Sequence, residues 1–282
     1  MSHQWVPTSP CGAGCLPPRP ARVSAVSASG RWIALILVAS CSLLLPVVRL
    51  LPARRRSAVH RLLSRMALRG IGIRLDVTGR SDQVGGGVLV VAGHVSWLDI
   101  LVLAAVVPGR FVARADLISW PLLGGVARRA GVIPIVRDSL RRLPGTVTVV
   151  RDRLVAGETV VAFPEGTTWC GRAFGRFRPA LFQAAIDAGR PVLPVSIGYL
   201  DAAGDPTTDP CFVGDEGIGP AMRRVLRSRG LRAEVVVGPR QDPGSCRREL
   251  AQRCEREVRR AAVDDALGLL ARLEGPRREH AA

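Results

Sequence analysis

Beyond residue 70 the chain alternates between short, β-branched apolar runs and amphipathic stretches. The runs fall at 73–77, 88–91, 132–136, 159–163, 192–197 and 233–237, with helical stretches between most of them at 98–107, 121–129, 143–155, 179–188 and 219–229. This alternation predicts an α/β fold, with helices around a central mixed, largely parallel sheet. Runs that are apolar throughout belong to strands covered on both faces. A long mixed-charge helical pattern closes the chain over 246–273. No boundary divides 71–282, which reads as one domain with a C-terminal helix.

The N-terminal quarter follows other rules. Residues 1–30 are rich in Pro, Gly and Ser without an apolar period, and read as a disordered leader. Residues 32–48 then run without a charge, close to the lower limit of about 17 residues for crossing a bilayer. This predicts a membrane anchor, either one span or a shallow re-entrant helix. Over 53–70, Val59, Leu62, Leu63 and Met66 fall at i, i+3, i+4, i+7, flanked by Arg54, Arg55, Arg56, Arg61, Arg65 and Arg69. Such a stripe suits a helix lying in the headgroup plane of an anionic membrane. An ordinary amphipathic helix packed on the domain is the alternative. Arginine after the apolar run puts the domain on the cytoplasmic face of the cell membrane.

Composition changes this picture little. The net charge of +17 is carried by arginine alone, because the chain has neither lysine nor asparagine. That pair of absences fits a GC-rich coding bias. The sign still favours phosphate-bearing partners. With one tyrosine, and few aromatics near the arginine runs, a nucleic-acid partner is not expected. The seven cysteines include no paired CxxC, and the closest two, Cys11 and Cys15, lie in the leader. Reduced thiols in a cytosol-facing protein are the expectation.

Two stretches carry candidate chemistry. In the first, His94-Val95-Ser96-Trp97-Leu98-Asp99, an imidazole follows a strand and a carboxylate comes five residues later. Five residues within one helix would leave the two side chains about 140° apart. His94 is therefore expected before the helix and Asp99 inside it, with the turn returning the carboxylate to the ring. Such a carboxylate fixes the tautomer and stabilises an imidazolium. Taken alone, the spacing also fits a turn whose His and Asp are merely structural. Of the four histidines, only His94 lies in the body of the domain. The second stretch, Phe163-Pro164-Glu165-Gly166-Thr167, also follows a strand, where ligands bind in open α/β sheets. Arg137, closing Gly131-Val132-Ile133-Pro134-Ile135-Val136-Arg137, ends another; it is either a phosphate clamp or one surface arginine among many. No GxSxG nucleophile elbow is present, so the substrate has to bring the attacking hydroxyl.

These blocks, in this order, resemble the PlsC-type glycerolipid acyltransferases, the 1-acylglycerol-3-phosphate acyltransferase family. Its marks are H-x4-D (His94, Asp99), G-x-I-x-x-x-R (Gly131, Arg137), F-P-E-G-T (163–167) and V-x-P-V (192–195). The resemblance covers roughly residues 71–240, and it implies a membrane-bound O-acyltransferase. In this reading His94 deprotonates a lysolipid hydroxyl that attacks the thioester of acyl-CoA or acyl-carrier protein. Asp99 orients His94, and Arg137, Glu165, Gly166 and Thr167 position the acceptor. Backbone N–H groups near the turn hold the oxyanion. No cofactor or metal is required, the thioester being a co-substrate. Where the family often has arginine after F-P-E-G-T, this chain has Thr168. That departure, with Tyr199-Leu200-Asp201 and the stretch 212–216, resembles the lyso-ornithine-lipid branch. The leading acceptor is 1-acylglycerol-3-phosphate, the alternative lyso-ornithine lipid. A catalytically silent membrane scaffold of the same fold is the reading of another class.

Overall fold

The computed structural model describes residues 7–18, 20–48, 50–79, 86–120, 123–136, 139–214 and 216–273. Its elements run α1 (Ala25–Ser40), α2 (Leu45–Val48), α3 (Ala53–Gly70), β1 (Arg74–Gly79), β2 (Leu89–Ala92), α4 (Leu98–Val106), β3 (Arg110–Arg114) and α5 (Leu123–Ala130). There follow β4 (Ile133–Ile135), α6 (Leu143–Val155), β5 (Val160–Ala162), α7 (Phe182–Asp187), β6 (Val192–Leu200), α8 (Ile218–Arg227), β7 (Arg232–Val237) and α9 (Arg247–Leu273).

The seven strands form one sheet in the order β1-β7-β6-β2-β5-β3-β4. All neighbours are parallel except β6 and β7. The expected mixed, largely parallel sheet is therefore present. Its centre is dry because apolar strands alternate their side chains between two helical layers. In β2, Val90 and Ala92 join Leu68, Leu98, Val102, Leu103, Ala221 and Val225 from α3, α4 and α8. Leu89 and Val91 point the other way, to Val150, Leu154, Phe182, Leu250 and Cys254 from α6, α7 and α9.

The strand missed in the sequence is β3, whose Phe111, Val112 and Ala113 are enclosed by arginines. Pairing with β5 on one side and β4 on the other satisfies its backbone. Tertiary context overrides a weak local pattern there.

The N-terminal region departs further from expectation. The apolar run 32–48 is not one helix: α1 stops at Ser40, a 3-10 turn covers Cys41–Leu44, and α2 is four residues long. The side chains of Ser40 and Cys41 donate back to the carbonyls of Ile36 (2.9 Å) and Leu37 (3.4 Å), a bond pattern that bends helices. Pro46, lacking an N–H, cannot renew the α-helical ladder. Among the described residues no helix is long and apolar enough to cross a membrane. The expected leader over 1–30 is also not structureless where it is described. Cys11 is buried in the core, α1 already begins at Ala25, and the Arg22 guanidinium reaches Asp209 at 3.1 Å.

Helix α3 turns a different face inward from the stripe read in the sequence. Ser64, Ala67 and Leu68 are buried, whereas Leu62 and Met66 are 57% and 47% exposed. Those two join an outward apolar surface with Ile33, Ile36, Leu37, Leu43, Leu44 and Val47.

Candidate active site

The sheet order decides which loops meet. Strands β2 and β5 are parallel neighbours in the sheet centre, so the chains leaving Ala92 and Ala162 emerge side by side. On the other flank, β6 runs parallel to β2 through Ala92↔Val195 and then continues to Leu200, carrying Tyr199 past that edge.

His94 leaves β2 four residues before α4 begins. Its Nδ1 lies 2.8 Å from Asp99 Oδ2, in the first turn of α4. The same oxygen accepts the N–H groups of Val95 (2.7 Å) and Ser96 (2.9 Å), which closes the turn ahead of the helix. Asp99 Oδ1 accepts from the Tyr199 hydroxyl at 2.6 Å. Asp99 is wholly buried, and four donors replace the water it has lost. Because Oδ2 is an acceptor, the His94 hydrogen sits on Nδ1 and the Nε2 lone pair is left free. The imidazole stacks on Phe163, with ring centroids 4.1 Å apart and 18° between planes. It has two anchors, a carboxylate at its back and a ring on its face.

The second stretch forms a tight turn. Gly166 N–H donates to the Phe163 carbonyl at 3.1 Å, with Pro164 presetting the bend and Gly166 at φ +76. Glu165 is thereby turned inward and is 4% exposed. Its Oε2 accepts the His94 N–H at 2.9 Å and its Oε1 the Gly175 N–H at 3.2 Å. Burial pushes its carboxyl up from 4.5 to about 7, against the lowering effect of those two N–H bonds. Glu165 thus fastens the loop after β5 to the backbone of His94. Thr167 and Thr168 stay partly exposed beside it. Arg137 falls outside the described residues, and β4, which precedes it, is separated from β2 by β3 and β5.

A pocket opens over this turn, lined by His94, Glu165, Trp169, Phe174, Ser196 and Ile197 among others. The N–H groups of His94, Val95 and Ser96 are all engaged by carboxylates, so the turn does not offer them to an oxyanion. The Trp169 Nε1–H is buried and has no hydrogen-bond partner among the described residues.

The structure brings His94, Asp99 and Glu165 together at the carboxyl ends of β2 and β5. Sequence reasoning missed Tyr199 as the partner of Asp99. The available signal was that this is the chain's only tyrosine, at the end of an apolar strand.

An α/β sheet with an imidazole oriented by a buried carboxylate at its carboxyl edge is a candidate general-base site. Comparison with known proteins makes this specific. A family profile described as Acyltransferase matches residues 74–198. The chain is 36% identical over 216 residues to a 1-acyl-sn-glycerol-3-phosphate acyltransferase of Neisseria meningitidis serogroup B, covering 76% of this chain and 84% of that one. It is 32% identical over 258 residues to a lyso-ornithine lipid O-acyltransferase of Rhizobium meliloti, covering 83% and 88%. The fold matches the crystal structure of the 1-acyl-sn-glycerophosphate (LPA) acyltransferase PlsC from Thermotoga maritima, with TM-score 0.65 at 21% identity, over 85% of this chain and 94% of that one. The chain belongs to the PlsC-type glycerolipid acyltransferase family and is an acyltransferase.

Proposed function

We propose that the protein moves a fatty acyl group from acyl-CoA or acyl-carrier protein to the free hydroxyl of a lysolipid at the cytoplasmic membrane surface. The observation that carries the mechanism is the His94 Nδ1 to Asp99 Oδ2 contact of 2.8 Å, which in the neutral ring puts the hydrogen on Nδ1 and the lone pair on Nε2. Nε2 takes the hydroxyl proton as that oxygen attacks the thioester carbonyl. The tetrahedral intermediate collapses with loss of the thiolate, which recovers the proton from His94. No acyl-enzyme forms, and neither cofactor nor metal takes part in these steps.

Membrane association rests on the outward apolar surface of α1, the 41–48 segment and α3. Ile36 and Leu37 are 59% and 62% exposed, and such a surface with arginines around it matches interfacial binding. The leading acceptor is 1-acylglycerol-3-phosphate, by likeness to the Neisseria enzyme. Lyso-ornithine lipid is favoured by Thr168, a neutral side chain where a phosphate would call for a cation. Arg137 and Thr167 are assigned to the acceptor's headgroup.

The test offers purified protein in vesicles labelled acyl-CoA or acyl-carrier protein with each acceptor and identifies the product by mass. Phosphatidate is the expected product. Product from the ornithine lipid alone overturns the headgroup assignment, and activity remaining in His94→Ala overturns the mechanism.

A further inference from the structure

Four cysteines far apart in sequence converge beside the active-site turn. Cys11 and Cys15 belong to the N-terminal segment, Cys170 to the loop after β5, and Cys211 to the loop between β6 and α8. The sulfurs of Cys11, Cys15 and Cys170 all lie within 4.8 Å of one another. Cys211 is wholly buried and packs in the same core cluster as Cys11 and Cys170, just outside that close trio. A tetrahedral thiolate site with bonds of about 2.3 Å sets its sulfurs about 3.8 Å apart, so the observed trio needs little adjustment. Cys11 and Cys15 are separated by Gly-Ala-Gly, which lets one short 3-10 turn present both from the same side.

Two further observations place the loop of Cys211 against the same cluster. The Thr208 hydroxyl donates to the Cys15 carbonyl at 2.5 Å and the Gly214 N–H to the Cys11 carbonyl at 2.9 Å, so the chain on both sides of Cys211 is bound to the two N-terminal cysteines. The Arg224 guanidinium, paired with Glu216 at 2.6 Å, donates to the Cys211 carbonyl and fixes that loop. The segment from 7 to 24 is also held by Arg22, which bonds Asp209 and bridges to Ser228, and by the packing of Cys11, Cys15 and Leu16 on the core, so a bound metal adds to these attachments.

We infer that Cys11, Cys15, Cys170 and Cys211 bind one zinc ion as a structural tetrathiolate site that pins the N-terminal segment onto the catalytic turn. Zinc suits four thiolates in tetrahedral array without redox change, and its binding releases the thiol protons to solvent. The link to the active site is one residue long on each side. Trp169 N–H, next to Cys170, donates to the His94 carbonyl at 2.7 Å, and Phe212 N–H, next to Cys211, donates to the Val95 carbonyl at 3.2 Å. The metal lies behind the turn and takes no part in acyl transfer, so its presence does not depend on which acceptor the enzyme uses.

The full chain, purified in detergent from cells supplied with zinc, is expected to carry one zinc per molecule by plasma mass spectrometry. Cobalt exchanged into the site is expected to give the spectrum of tetrahedral thiolate coordination. Cys11→Ser with Cys15→Ser is expected to lose the zinc, and Cys211→Ser to weaken its retention by more than the roughly 10–100-fold typical of outer-partner changes. Cys41→Ser and Cys246→Ser, outside the cluster, are expected to keep it. Folding of each variant is followed by circular dichroism. Wild-type protein that is folded but free of zinc, with the four thiols open to alkylation, overturns the proposal. A disulfide between any two of the four, or an iron–sulfur chromophore, overturns it equally. Full zinc retention by Cys211→Ser removes that residue as a ligand.

Discussion

The turn of His94 and Asp99 and the N-terminal helical layer solve opposite problems with the same chain. At the turn, polar groups are enclosed and each is matched: Asp99 is wholly buried with four donors, and Glu165 holds one backbone N–H on each oxygen. In the layer formed by α1, α2 and α3, apolar groups stand outward, with Ile33, Ile36, Leu37 and Leu62 each more than half exposed. In the turn, enclosure keeps a geometry fixed. In the layer, exposed apolar side chains of this kind match the interfacial binding proposed above. The contrast separates an enclosed polar site from an exposed apolar surface, with α3 burying Ala67 and Leu68 on one side and showing Met66 on the other.

The largest break in this comparison is expected from His94→Ala. Transfer should fall by about 10²–10⁴-fold, the usual worth of a general base, while vesicle binding and circular dichroism stay unchanged. A variant that also leaves the membrane would mean that the two regions are not separate.

Next comes Glu165, whose carboxyl is raised from 4.5 to about 7 by burial. The folded state holds this proton more tightly than the unfolded state does. Its stabilising contribution is therefore complete below about pH 4.5 and is lost as pH rises through 7, a span of about 3 kcal/mol. Denaturant unfolding measured from pH 4.5 to 8 should show this decline, and Glu165→Gln should remove it. An unchanged pH profile in that variant would assign the decline to other groups.

A smaller effect is expected on the outer layer. Ile36→Ser with Leu37→Ser should weaken vesicle sedimentation by about 10–100-fold, since each half-exposed side chain brings about 1 kcal/mol or more on entering lipid. Activity toward dispersed, short-chain acceptor should persist. Unaltered vesicle binding would move the contact surface elsewhere.

Tyr199→Phe gives the finest probe. It removes one of four donors to a buried carboxylate, at a cost of about 1.5–3 kcal/mol in stability. Transfer should slow through kcat with little change in acceptor KM, because the hydroxyl acts on Asp99 and touches no substrate. A KM effect alone would place Tyr199 in the binding site instead.

Much of the fold was legible because long apolar runs state their own burial. All six expected strands are present within one to three residues, and the five inner helices fall close to their expected places. Strand β3 was not legible, since three apolar residues between Arg110 and Arg114 look the same in a loop as in a strand. The break in the run 32–48 was not legible, because mean hydropathy does not register a proline and two back-bonding side chains. At the site, the His94–Asp99 contact was readable and the Tyr199 contact was not. The cysteines present the same divide: no local spacing hints that Cys170 meets Cys11 and Cys15.

By itself the sequence determined the alternation that makes an α/β domain and the turn that pairs His94 with Asp99. Both are local, since period and one-turn spacing are set by bond geometry within a few residues. Only the tertiary structure decided that Glu165 arrives from β5, Tyr199 from β6 and three thiols from two separate segments. Those meetings depend on strand order, with β2 seated between β6 and β5. Strand order is chosen by the packing of the whole sheet between its helical layers, a sum of many weak contacts that no short stretch of chain contains.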